Sequence, residues 1–100
     1  MKHIIIYILM LTTAYNTVPA QTDSTPCIGA YNDNICGRRD VAACPRSWKR
    51  KWIEVAGKKY QCLDVMNKRY EGKRIDLSFD KNILGAKKFG IKKLEVKLLD

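Results

Sequence analysis

Three aspartates, Asp64, Asp76 and Asp80, fall close together in a chain with only ten acidic residues against nineteen Lys and Arg. Asp76 and Asp80 stand four apart in GKRIDLSFDKN, residues 72–82. Crowding like charges raises a carboxyl pKa, which suits a general acid. Each aspartate also has an ordinary structural explanation. Asp76 lies on the polar side of an alternating strand, although Asp is disfavoured in strands. Asp80 is placed to cap a helix. Asp64 ends a strand, where it can serve a turn or pair with Lys68 or Arg69.

Aromatic residues among basic ones can stack on sugars or bases. Trp48 and Trp52 stand in SWKRKW, and Tyr60 and Tyr70 in KKYQ and NKRY. Trp52 opens a strand and is expected in the core. That leaves Trp48 as the surface contact, with Tyr70 and Arg74 as further candidate substrate contacts.

The elements that must hold these groups begin after an unusual first segment. MKHIIIYILMLTTAYNTVPA has a basic start, the apolar run Ile4–Leu11 and small residues at its end. These are the marks of a secretory signal peptide cut at Ala20/Gln21. The run is too short to span a bilayer, which needs ~20 residues. An uncleaved N-terminal anchor is the alternative. Cleavage leaves one small domain and removes the only histidine, His3. Ser-His-Asp and Cys-His chemistry is then excluded, and acid/base work falls to Asp, Glu, Tyr or Lys. The remaining eighteen Lys and Arg against ten acids make a basic field that draws polyanions.

Cys27, Cys36, Cys44 and Cys62 follow that segment. An even count in a small exported chain reads as two disulfides with three possible pairings. We expect Cys27–Cys36, closing a short polar loop, and Cys44–Cys62, joining two strands. A four-thiolate zinc site is the alternative, but no C-x-x-C spacing supports it.

Residues 21–26 are polar and expected to be disordered. A strand is expected at 27–31, another at 41–44, and a hairpin with strands at 52–55 and 59–63 turning at Ala56-Gly57-Lys58. RIDLSF alternates Ile75, Leu77 and Phe79 against Arg74, Asp76 and Ser78. A short helix follows, with Asp80 as N-cap and Gly90 as its stop. KKLEVKLL is a last half-buried strand. The sum is an all-β chain, β-rich with one short helix, of the kind that closes into a barrel to remove its edges.

CLDVMNKRYEGKRIDLSFD, with AKKFGIKKLEVKLL after it, resembles the 3D domain, named for three aspartates. The matching positions are Asp64, Asp76 and Asp80, then Phe89-Gly90 and Leu94-Glu95-Val96. Upstream, VAACPRSW and WIEVAGKKYQC are similar to that family's first strand and hairpin. The resemblance covers residues 27–99, so residues 27–100 are expected to form the domain. It implies a six-stranded double-psi β-barrel at the cell wall, the fold of MltA-type lytic transglycosylases, RlpA-like proteins and expansins. In the transglycosylases the aspartate of the "ID" strand, here Asp76, is the acid/base that cleaves the glycan strand of peptidoglycan. Asp64 and Asp80 would flank it.

The resemblance therefore implies a secreted, monomeric protein acting on peptidoglycan or another wall polysaccharide, with no cofactor and no metal. Nucleic acid and stable membrane insertion are not expected. The rival expectations are a non-catalytic, expansin-like wall-binding module using the same groove, Trp48 and the basic surface, and a secreted cationic effector acting on anionic surfaces.

Overall fold

A computed structural model describes residues 6–18 and 25–99. Its strands are β1 (Ile6–Tyr15), β2 (Val41–Cys44), β3 (Trp52–Val55), β4 (Lys58–Val65), β5 (Arg74–Ser78) and β6 (Lys92–Leu98). One helix, α1 (Ile83–Phe89), precedes β6, and 3-10 turns occupy Arg46–Trp48 and Lys68–Tyr70.

The six strands close into a barrel in the order β1-β5-β2-β4-β3-β6. β1 runs parallel to β5, and β2 parallel to β4; the other four neighbours are antiparallel. Exchanging β1, β2 and β3 for β4, β5 and β6 reproduces every pairing. In each half one strand lies between two consecutive ones: β1 between β5 and β6, and β4 between β2 and β3. Two such interlocked halves make a double-psi barrel. Closure gives each described strand a neighbour on both sides, which limits the exposed edge that could recruit another chain.

The sixth strand is not the expected one. Residues 27–31 form no strand and contribute only an isolated bridge, Ile28 to Asn34. The strand comes instead from the segment with the look of an export signal. It pairs with β6 over Ile6–Thr12 and with β5 over Leu11–Tyr15. Met10 and Thr12 are buried on its inner side, Tyr7 and Leu9 face out, and Tyr15 on that same outer side is buried at the strand's end. The described barrel thus starts at Ile6, and a cut after Ala20 would remove one of its strands. The cut site and residues 21–24 of the expected disordered stretch lie outside the described residues.

Hydrophobic burial and covalent staples hold this small barrel. Met10, Ile53, Val55, Ile75, Leu77 and Val96 meet in the interior with Cys44 and Cys62. Burying each large aliphatic stabilises by ~1.5–3 kcal/mol. The disulfides are Cys27–Cys36 and Cys44–Cys62, as expected. The first closes the loop ahead of β2, and the second ties β2 to β4 inside the core.

Local chemistry explains the turns. Ala56 and Gly57 both take positive φ, 51° and 79°, which is the two-residue hairpin turn whose twist matches the flanking strands. Gly90 ends α1 at φ 65°. Asp80 is not the helix cap. Asn82 is, its side chain accepting from the Gly85 N–H. Asp80 occupies a left-handed turn at φ 47° two residues earlier, so its carboxylate points elsewhere.

The two tryptophans exchange their expected places. Trp48 is 9 % exposed and packs in the core, whereas Trp52 is 36 % exposed. The reason is the turn at 46–48. It swings Trp48 inward under the Cys44–Cys62 staple, and the alternation of β3 sends Ile53 and Val55 in and Trp52 out.

Candidate active site

Two of the three aspartates meet at one end of the barrel. Ala43 on β2 is the register partner of Asp76 on β5 and of Asp64 on β4. Asp76 is in turn the partner of Thr13 on β1. Thr13, Asp76, Ala43 and Asp64 therefore form one row across four strands. Register partners point to the same face of a sheet, so the row turns its side chains together.

A bulge makes this row possible. The β2–β4 register shifts between Ala42, opposite Cys62, and Ala43, opposite Asp64. Leu63 is skipped and packs with Ile35 and Val41 under the disulfide loop. Bulges re-aim side chains beside sites; here the bulge brings Asp64 level with Asp76. Ala43 between them has no bulk to separate the two carboxylates.

The row opens into a cleft of about 690 Å³ whose lining includes Tyr15, Gly29, Ala30, Asp64, Tyr70 and Asp76. That volume is typical of a small-molecule or saccharide site. Asp80 does not line it. Thr17 donates its hydroxyl to the Asp80 carboxylate at 2.5 Å. That bond is the main reason the Asp80 pKa lies below the usual carboxylate value, with the Gly37 N–H, Lys81 and Arg39 adding to it. Asp80 ties the segment that follows β1 to the turn before α1, where the Thr17 N–H also bonds the Asp80 carbonyl at 2.9 Å.

Asp76 has the opposite environment. It is half-buried, and that burial pushes its pKa up to about 6. The hydrogen bond from Thr13 Oγ1, at 2.9 Å, opposes the rise, and the charge of Asp64 adds to it. Asp64 accepts from the Ala30 N–H at 3.2 Å, the Val65 N–H at 3.0 Å and the Tyr15 hydroxyl at 3.4 Å. Tyr15 itself is buried, and burial together with the nearby carboxylates drives its pKa well above the usual tyrosine value. Its hydroxyl stays protonated and serves as a donor.

The loop over the cleft depends on one glycine. A Cβ at Gly29 would lie 2.4 Å from the Leu63 carbonyl oxygen. Without it the loop lies flush on β4 and delivers the Ala30 N–H to Asp64. The Cys27–Cys36 disulfide closes this loop, and Arg50 straps it by donating to the Tyr31 carbonyl and Asp33.

Tyr70 also lines the cleft and has two guanidinium groups over its ring, Arg69 at 4.6 Å and Arg74 at 4.3 Å from the centroid. Arg46 pairs with Glu71 at 2.6 Å and holds this part of the chain to the turn before β3. Tyr70 thus lines the cleft with Arg74 over its ring, while neither Arg74 nor Trp48 is among the lining residues.

Thr13, Tyr15, Ala43 and the Gly29-Ala30 backbone are site residues that sequence reasoning missed. The available signal was LMLTTAY, where the apolar run passes into the β-branched pair Thr12-Thr13 and the aromatic Tyr15, residue types favoured in strands once cleavage is not assumed. No protein-family model matches this chain, and no curated protein matches it significantly.

Proposed function

We propose that the protein is a 3D-domain-like enzyme that cleaves the glycan strand of peptidoglycan with Asp76 as its single acid/base. The observation that carries this reading is the contrast within the aspartate row. Asp76 is half-buried in an open cleft with its pKa raised to about 6, while Asp64 beside it is engaged by three donors of the protein. A carboxyl that holds its proton near neutral pH can give it to a leaving oxygen.

The chemistry needs one carboxyl group. Asp76 donates its proton to the glycosidic oxygen as the C1–O bond breaks. The 6-hydroxyl of the same sugar attacks C1 and returns its proton to the Asp76 carboxylate, leaving a 1,6-anhydro ring and the acid restored. Ordinary glycosidases divide this work between two carboxylates; here the nucleophile belongs to the substrate. Thr13 orients Asp76, burial keeps it protonated, and the charge of Asp64 adds to that effect. Tyr70, backed by Arg69 and Arg74, offers a ring face to a sugar.

The two disulfides fit an oxidising compartment, which supports a location outside the cytoplasm. In this reading the working form keeps residues 6–17, because β1 supplies Thr13 and Tyr15 to the site. A binding module would have to use the same groove and the basic surface without Trp48, which packs in the core.

The test is mass spectrometry of soluble products after incubation of purified peptidoglycan with the protein and with Asp76→Ala. Anhydro-muropeptides from the wild type alone are expected. Sedimentation with the wall in both proteins and no product from either would replace the enzyme with a binding barrel.

A further inference from the structure

A second surface, on α1 and the start of β6, has no part in the cleft. From Lys81 to Lys93 the chain carries five lysines and no acidic residue. The inner side of α1 is settled by Ala86, which is buried, and Phe89, which packs against the core and against Phe79 at 5.5 Å between ring centroids. Leu84, Lys87 and Lys88 follow the i, i+3, i+4 spacing of the outer side. Leu84 is 72 % exposed, and Ile91 and Ile83 on either side are 65 % and 45 % exposed. Aliphatic side chains this open within a lysine field mark a contact surface.

We propose that this face docks on an anionic lipid bilayer. The ammonium groups of Lys87, Lys88 and Lys93 would meet lipid phosphates, and Leu84, Ile83 and Ile91 would enter the boundary between headgroups and acyl chains. Lysine suits such a layer because its stem lies along apolar surface while its charge stays at the phosphate level. The aliphatics decide between partners. A polyanion in water, whether nucleic acid or an anionic wall polymer, would neutralise the lysines and leave Leu84 and Ile91 exposed. A bilayer takes both. No described helix is long and apolar enough to cross a membrane. The contact also leaves the cleft open, because no residue of 81–93 lines it. The proposal does not depend on the glycan reading.

The test is co-sedimentation of the full chain with vesicles of phosphatidylcholine containing one-third phosphatidylglycerol, against pure phosphatidylcholine, at low and high salt. Binding is expected only with the anionic lipid and is expected to weaken with salt. Lys87→Gln/Lys88→Gln should lose roughly fivefold in affinity per lysine. Leu84→Gln/Ile91→Gln should lose at least as much with no change in charge. All of these side chains are exposed, so the melting temperature should hold, and it is measured alongside. The control is Lys51→Gln/Lys59→Gln, which removes the same charge; Lys59 lies on β4, opposite β1 in the barrel order. Equal loss in the control would overturn the proposal in favour of general attraction to a basic protein. Undiminished binding by the Leu84/Ile91 variant, with equal affinity for a soluble polyanion such as polyphosphate, would overturn it in favour of a polyanion site. Failure to bind anionic vesicles at low salt would overturn it outright.

Discussion

Thr13 donates its hydroxyl to Asp76 at 2.9 Å, across the parallel β1–β5 pair. Asp76 is the group with the strongest claim to chemistry in this molecule, and its hydrogen-bond partner comes from the segment that most resembles a leader. The same bond holds the Asp76 pKa below where burial alone would set it.

Removing that bond should move the pH dependence of activity. Thr13 stabilises the ionised form of Asp76, so Thr13→Val raises the Asp76 pKa further above about 6. A general acid works while protonated, and the alkaline limb of the rate profile should therefore shift upward by roughly one pH unit. The turnover at the optimum should fall as the carboxyl loses its orientation. A limb that stays in place while the rate drops would show that Asp76 is not the titrating acid.

Asp76 should also cost the fold stability at neutral pH. Its folded pKa of about 6 lies above the ordinary 3.8, so the native state binds the proton more tightly than the unfolded chain. Stability then falls as pH rises from about 4 to about 6, and the penalty persists above that. Asp76→Asn should be more stable than the wild type at pH 7.5, by at most ~3 kcal/mol, with the gap closing at pH 4. Urea unfolding of both proteins at the two pH values measures it. Loss of stability in the variant at pH 7.5 would refute the half-buried, desolvated carboxyl.

Asp80 should behave as a structural residue. Asp80→Asn keeps a side chain that tolerates positive φ and removes only the charge. The pH profile of activity should not move. The Asp80 carboxylate has a depressed pKa, so its contribution to stability is present above the ordinary value and lost as pH falls through the depressed one. The group lies near the surface, and the loss at pH 7 should stay under ~1 kcal/mol. A displaced activity profile would return Asp80 to the site.

A chain beginning at Gln21 should not fold. It lacks the strand hydrogen-bonded to both β5 and β6 and the buried Met10, Thr12 and Tyr15. Open sheet edges and an incomplete core leave a domain this small without the means to stay folded. Circular dichroism should show no cooperative thermal transition, whereas the full chain should show one. The intact mass of protein recovered from an oxidising compartment should retain residues 6–17. A cooperative transition in the truncated chain would mean that another segment can close the barrel.

Much of the barrel was legible because its signals are local. The alternation in RIDLSF and KKLEVKLL places β5 and β6, Ala56-Gly57 places the hairpin, Gly90 ends α1, and cysteine count and spacing suggest both disulfides. Tertiary structure alone decided the rest. The apolar run at the N-terminus has the composition of a leader and of a buried strand alike; only the presence of β5 and β6 on its two sides makes it a strand. Trp48 and Trp52 differ by four residues in a basic stretch, and only the turn at 46–48 determines which one reaches the core. Three aspartates close in sequence became two at the cleft and one outside it, because a bulge at Leu63 and a left-handed turn at Asp80 aim side chains in ways that residue spacing does not encode. Periodicity records which face of an element is apolar. Which elements meet, and at what register, is set by pairing across the whole chain.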